Sequence, residues 1–214
     1  MNCVICGIRR ARRHCPGVRG DICSICCGTE REVTVDCPFE CEYLQEARLR
    51  EKPPVLDPAT FPHQDIRVTE TFLRDHEPLL TFLAATLLHA AFQVPGVIDN
   101  DVREALDALV RTYRTLESGL YYDSRPSNPL AAHIYIELQK NLQAFRERVT
   151  QETGMNTIRD SEILGILVFL QRMEMQENNG RRKGKAFLDV LRHNFPPRDE
   201  GGEAPPAAPL LVQG

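Results

Sequence analysis

Between residues 99 and 153 the chain writes one pattern twice. Val102, Leu106, Leu109, Tyr113, Leu116 and Leu120 alternate steps of four and three. Ala131, Tyr135, Leu138, Leu142, Phe145 and Val149 keep the same rhythm. That spacing draws a narrow apolar seam down one face of a helix. Asp99 or Asn100 is placed to cap the first helix, which then runs to about Tyr122, and Asn128-Pro129 opens the second. Two such helices joined by a short loop are expected to pack antiparallel, as in a helical bundle.

The pattern predicts further helices on either side. Ile66–Arg74 reads as a short amphipathic piece. Asp75 is a candidate cap for a helix with Pro78 in its first turn, ending near Gln93 before Pro95-Gly96. Gly154 breaks the chain, and Asp160 then caps Ser161–Glu177. The centre of that helix, Ile163 to Leu170, is apolar on nearly every side apart from Gly165, the mark of the buried middle of a domain. Asn179-Gly180 ends it, and Ala186–Asn194 forms a short last helix. Strand patterns are confined to the Arg31–Asp36 segment and to Gly20–Cys23. The fold expected is therefore mainly α, an all-α bundle over residues 65–195. Residues 52–64, with Lys52-Pro53-Pro54, Pro58 and Pro62, read as a stiff linker. Residues 196–214, rich in Pro, Gly and Ala, read as a disordered tail.

Residues 1–51 follow no such pattern, and there composition takes over. All eight cysteines of the chain fall in this stretch: Cys3, Cys6, Cys15, Cys23, Cys26, Cys27, Cys37 and Cys41. Such clustering means a disulfide framework or a metal site. The first twenty residues are polar and lack the apolar core of a secretory signal. No apolar run reaches the roughly 18 residues needed to span a bilayer. These features predict a cytoplasmic protein without a membrane role, and in a reducing compartment thiols hold zinc rather than pair.

Structural zinc takes four thiolates in a tetrahedron, so eight cysteines fill two Zn2+ sites. A Cys-x2-Cys turn directs both sulfurs to one metal. The preferred wiring is crossed, with Cys3, Cys6, Cys23 and Cys26 on one ion and Cys15, Cys27, Cys37 and Cys41 on the other. Cys37 and Cys41, four apart, would project from one face of a helical turn that continues through Arg50. A second wiring stays open, with Cys26 and Cys27 on one metal and Cys23 on the other, and His14 is an alternative ligand.

Cys3-Val4-Ile5-Cys6, Arg13-His14-Cys15-Pro16 and Ile22-Cys23-Ser24-Ile25-Cys26 resemble the HIT-type zinc finger and its treble-clef, cross-brace relatives. The likeness covers about the first forty-five residues. It departs from that pattern in having no Cys two places after Pro16 and no His before the last ligand; Cys27 stands in. The resemblance implies a module that binds proteins within larger assemblies. The helical segment, through Leu167-Val168-Phe169-Leu170-Gln171-Arg172 and Asn179-Gly180-Arg181, resembles bacterial proteins that pair a Cys-rich head with a helical body, which implies no activity.

Charge adds two candidate sites. Arg9, Arg10, Arg12, Arg13 and Arg19 crowd the loop before Cys23, with Asp21 the nearby acid. Arginine forks match phosphate oxygens, which suits nucleic acid. The same arginines could instead balance thiolates, because each Zn(Cys)4 centre carries a formal charge of about −2. Residues 1–51 otherwise hold equal numbers of acidic and basic side chains. Arg181, Arg182, Lys183 and Lys185 form a basic turn before the last helix, readable as an anion site or as a solvated connection. Aromatics interleave with neither group, so base stacking lacks support. The overall charge of −4 argues against a chain that coats nucleic acid with its whole surface.

Signs of catalysis are sparse. His133 and Glu137 stand four apart, but two ligands do not make a site. His89 reads as a core histidine, and Tyr121, Tyr122, Asp123 and Arg125 as a helix-end network. P-loop, dinucleotide-turn and nucleophile-elbow motifs are missing. The reading is thus a non-enzymatic zinc-binding adaptor that docks on a protein partner. The alternative is a nucleic-acid-binding protein using the arginine loop 9–19 and the basic turn 181–185.

Overall fold

A computed structural model of the chain describes residues 1–51, 56–120, 122–155 and 158–196. The start of the Pro-rich linker, Tyr121 and the Pro/Gly-rich tail lie outside the described residues. The described part is mainly helical, with a small cysteine-rich head and a helical body.

The head begins with a hairpin, β1 (Arg13–Cys15) paired antiparallel with β2 (Gly20–Ile22). Two seven-residue helices follow, α1 (Ser24–Glu30) and α2 (Glu42–Arg48). The body holds α3 (Glu70–Asp75), α4 (Glu77–Gln93), α5 (Asp99–Glu117), α6 (Pro129–Thr153), α7 (Asp160–Glu177) and α8 (Ala186–Asn194).

The two seam helices, α5 and α6, do pack on each other, and α5 also lies along α7. Val102, Leu106, Leu109, Ala131, Tyr135 and Leu138 are all buried in that joint core. The apolar centre of α7, Ile163 to Leu170, is nearly inaccessible apart from Phe169. Gly165 is required there by α3. A Cβ on it would stand 2.6 Å from Cζ of Phe72, so the glycine lets the short helix sit directly on α7. A buried polar knot ties the C-terminal half of α5 to the N-terminal half of α6. The Tyr135 hydroxyl lies 2.9 Å from that of Thr112, receives Gln139 at 2.8 Å and donates to Asp123.

Several expected details differ. Asp99 does not cap its own helix. Ile98 holds the N-cap position and the Asp101 carboxylate accepts its N–H at 3.0 Å. Asp99 reaches across instead to the start of α8, accepting from Phe187 N at 3.0 Å and Leu188 N at 3.1 Å. Asp160 likewise sits inside α7 and pairs with Arg146, while Glu162 serves the N-cap. The α4 cap is His76 rather than Asp75. α5 stops at Glu117, because Gly119 turns with φ +77° and leaves Leu120 exposed. His89 is exposed and bonded to Gln93, not a core histidine. Asn128 and Gly154 frame α6 as expected, through a side-chain bond to Leu130 N and a left-handed C-cap.

The Arg31–Asp36 segment forms no named strand. It folds into a tight loop in which the Glu30 carbonyl accepts from the amides of Val33, Thr34 and Val35. Glu32 within it takes φ +53°, a left-handed conformation that is costly for a residue with a Cβ. The reason lies in what Glu32 touches.

Candidate metal centre

Cys3 and Cys6 lie in a tight N-terminal knuckle. Cys3 N donates to Arg9 O, Gly7 N donates to Cys3 O, and Gly7 turns with φ +67°. Cys23 is the N-cap of α1, its sulfur accepting from Cys26 N at 3.4 Å, so the helix start places Cys23 and Cys26 on one side. These two knuckles meet. The four sulfurs of Cys3, Cys6, Cys23 and Cys26 all fall within 4.8 Å of one another. Three of the four residues are buried, with Cys6 intermediate.

The electrostatics of this cluster fit a cation. Burial pushes the Cys3 thiol up, but backbone N–H groups of Cys6, Cys23 and Ile5 outweigh it and leave the thiol at about 6. Backbone donors from Arg9 and Ile8 lower Cys6. Burial, together with the sulfurs of Cys23, Cys6 and Cys3, pushes Cys26 up to about 12. Four thiolates this close repel one another, and a central metal ion removes the conflict by taking all four as ligands. The four cysteines lie close enough to hold one metal ion, and this set matches one of the two sets in the crossed wiring.

The other four are arranged differently. Among the described residues, no second group of three or more ligand side chains comes so close together. Cys15 and Cys37 are buried in the head with Cys27 and Cys41 packed against them. Burial raises Cys37 against a lowering backbone bond from Glu32, and the charges of Glu32, Cys15 and Cys41 raise it further. Cys41 is the N-cap of α2 and Cys37 lies before it, so the two do not share a helical turn as expected. Cys27 receives Arg13 Nη1 at 3.7 Å and Arg31 Nη2 at 3.8 Å. His14 is exposed and faces Asp21 at 3.3 Å, away from any cysteine group.

The arginine loop divides. Arg9 is raised by the nearby sulfur of Cys23 and by the charges of Cys6 and Cys26. Arg13 bonds Cys27 and lies 3.9 Å over the Tyr43 ring. These two serve thiolates. Arg10, Arg12 and Arg19 are exposed, and no ion pair holds them among the described residues.

The basic turn was expected to be an anion site or a free connection, and the structure places it against the head. Lys183 N donates to Glu32 O at 2.8 Å and Lys183 Nζ to Thr34 O at 2.8 Å. Lys185 N donates to Glu32 Oε1 at 3.1 Å, and its ammonium pairs with Asp36. Arg181 pairs with Glu51 at 2.6 Å and donates to Arg31 O at 3.1 Å. Asn179 donates to Glu32 Oε2 at 2.9 Å. Of the four basic side chains, Arg182 alone is left exposed. Gly184 permits the tight turn, for a Cβ there would meet Asn179 Oδ1 at 2.6 Å. Sequence reasoning missed Glu32 as the centre of this joint. The only available signal was an acid in a Cys-rich loop, and its partners in the body lie 147 and 153 positions downstream.

A cavity of about 860 Å³ opens along the seam between α2 and α8, lined in part by Arg48, Leu49, Arg181, Asp189 and His193. Several of its charged groups are already joined: Arg48 pairs with Asp189 and with Glu32 behind it, and Arg181 with Glu51. His133 and Glu137 gather no third ligand among the described residues, and Glu137 is bonded to Asn141. Among the described residues no helix is long and apolar enough to cross a membrane. Comparison of the chain with protein-family models, curated proteins and solved structures gives no match in any of the three.

Proposed function

We propose that the protein is a zinc-dependent, non-enzymatic adaptor whose head docks on a protein partner. The observation that carries this reading is the convergence of Cys3, Cys6, Cys23 and Cys26 on one point. Four cysteine ligands complete the tetrahedral valence of zinc and leave no position for water or substrate, so such an ion stabilises a fold and does no chemistry. Zinc is the ion that suits an all-sulfur tetrahedron without redox demands. A second Zn2+ on Cys15, Cys27, Cys37 and Cys41 belongs to the same reading, supported by the burial of Cys15 and Cys37 in one small core with Cys27 and Cys41 packed against it. The treble-clef likeness of residues 1–45 agrees with a protein-docking role, and zinc-bound thiols suit a reducing cytoplasm.

The nucleic-acid reading draws less support. Arg181, Lys183 and Lys185 are spent on the head, and Arg9 and Arg13 on sulfur. Elemental analysis of the purified chain tests the metal, with two zinc equivalents expected, one if Cys27 keeps only its arginines, and none if the reading is wrong. A pull-down from native cytosol, compared with and without nuclease, tests the adaptor role. Protein capture that survives nuclease supports it, and capture that vanishes with nuclease refutes it.

A further inference from the structure

The head carries more aliphatic surface outside than its own core uses. Met1, Val4, Ile5, Ile8 and Ile25 are exposed, Ile8 to 85% and Ile25 to 52%. Apart from cysteines, the buried apolar residues of the head are Ile22, Val35 and Leu44. Ile5 and Ile25 occupy the same slot in Cys-Val-Ile-Cys and Cys-Ser-Ile-Cys. Each isoleucine is next in sequence to a member of the one sulfur cluster, Ile5 to Cys6 and Ile25 to Cys26. Val4, before Ile5, has its N–H on Asp21 O at 3.0 Å and its side chain against Gly20.

Three arginines stand close by along the backbone. Arg10 is paired through its main chain with Asn2, next to Cys3, Arg12 N donates to Ile22 O, next to Cys23, and Arg19 precedes Gly20. All three are exposed and free of ion pairs among the described residues. The nearest acid, Asp21, faces His14. None of these residues takes part in the head–body joint, which uses Glu32, Asp36, Phe39, Glu40 and Glu51.

We infer that this face docks an acidic amphipathic segment of a protein partner. The segment's aliphatic side chains rest on Ile5, Ile8 and Ile25, and its carboxylates face Arg10, Arg12 and Arg19. Apolar anchors beside unpaired guanidinium groups match a ligand with both features, and Arg forks engage carboxylates bidentately. Nucleic acid would leave the aliphatic half of the face unused. The head's aromatics offer bases no platform, since Tyr43 lies under Arg13 and Phe39 packs on Phe92 of the body. Interfacial lipid binding is typically the work of an amphipathic helix, whereas Met1, Val4, Ile5 and Ile8 lie in the non-helical N-terminal knuckle. The inference rests on the adaptor reading and names the chemistry of its partner.

The test selects binders from a random-peptide display library with the zinc-loaded full chain. Selected peptides are then titrated against variants whose zinc content and melting point match the parent. Enriched peptides rich in Asp and Glu, with aliphatics three and four apart, are expected. Their affinity should fall roughly tenfold or more in Ile5→Glu/Ile25→Glu and in Arg10→Glu/Arg12→Glu. Neutral or basic peptides, or affinities indifferent to both variants, overturn the inference. If acidic peptides bind but Leu49→Glu in the seam cavity abolishes binding while the face variants do not, the inference falls and the adaptor reading stands. If no peptide is enriched, and single-stranded RNA or phosphatidylserine vesicles bind the face instead, both fall.

Discussion

Arg48 Nη2 of α2 donates to Glu32 Oε1 at 2.6 Å, and the same guanidinium reaches Asp189 of α8 through Nη1. One cation thus joins the loop between two cysteine groups to the last helix of the body. Glu32 is almost fully buried, and beyond Arg48 it serves Asn179 and the amide of Lys185. Removing one partner of a buried charge pair strands the other in low dielectric, which costs about 3–5 kcal/mol. Glu32→Ala should lower unfolding stability by that order while leaving zinc content unchanged. Chemical denaturation and metal analysis on one sample check both halves.

Metal removal should reach beyond the head. Structural zinc supplies folding free energy, so a chelator or Cys3→Ser melts the knuckles. The amides of Lys183 and Lys185 are held by Glu32, so they should lose protection from hydrogen exchange along with Cys3 and Val4. The amides of α5 and α7 should keep theirs. Unchanged exchange at Lys183 after chelation would show that the joint holds without metal.

Asp99 predicts a pH dependence. Burial pushes its carboxyl up to about 7, against the lowering effect of the Phe187 and Leu188 amides. With the folded value raised above the unfolded one, the stability from this group is fully present below about pH 4 and is lost as pH rises through about 7. Between about pH 6 and about pH 8 the folded state should lose about 1.4 kcal/mol from this group. Asp99→Asn should remove that slope. Identical pH profiles for parent and variant, both zinc-loaded, would count against it.

Gly165→Ala should destabilise by about 1–3 kcal/mol, since the new methyl overlaps the Phe72 ring and α3 must shift. Phe72→Leu in the same chain should restore part of the loss. A double-mutant cycle measured by thermal melts gives the coupling between them.

The periodic positions of α5, α6 and α7 made the body legible, because burial on one face enforces spacing in the sequence. Ala186–Asn194 matches the last helix to the residue. Caps were less legible: Asp99, Asp160 and Asp75 each carry the right chemistry, but neighbours outside the helix, as for Asp99 and Asp160, took the carboxylates or the boundary moved by a residue. In the head, Cys-x2-Cys spacing identified one four-sulfur group, since a short turn constrains its own side chains. Cys15, Cys27, Cys37 and Cys41 are joined by longer loops whose course no local rule fixes. The role of the basic turn was hidden for the same reason, since its acids lie in loops of the head.

That arrangement bears on how the molecule can be cut or recombined. Glu51, Asp36 and Glu40 find their cations at Arg181, Lys185 and Arg192. A fragment ending near residue 51 would carry these carboxylates with no counterpart, and a body lacking the first 51 residues would hold a cluster of orphaned cations. The cysteine-rich end is therefore not a portable cassette. A chimera that transplants it would need to bring residues 179–192 as well.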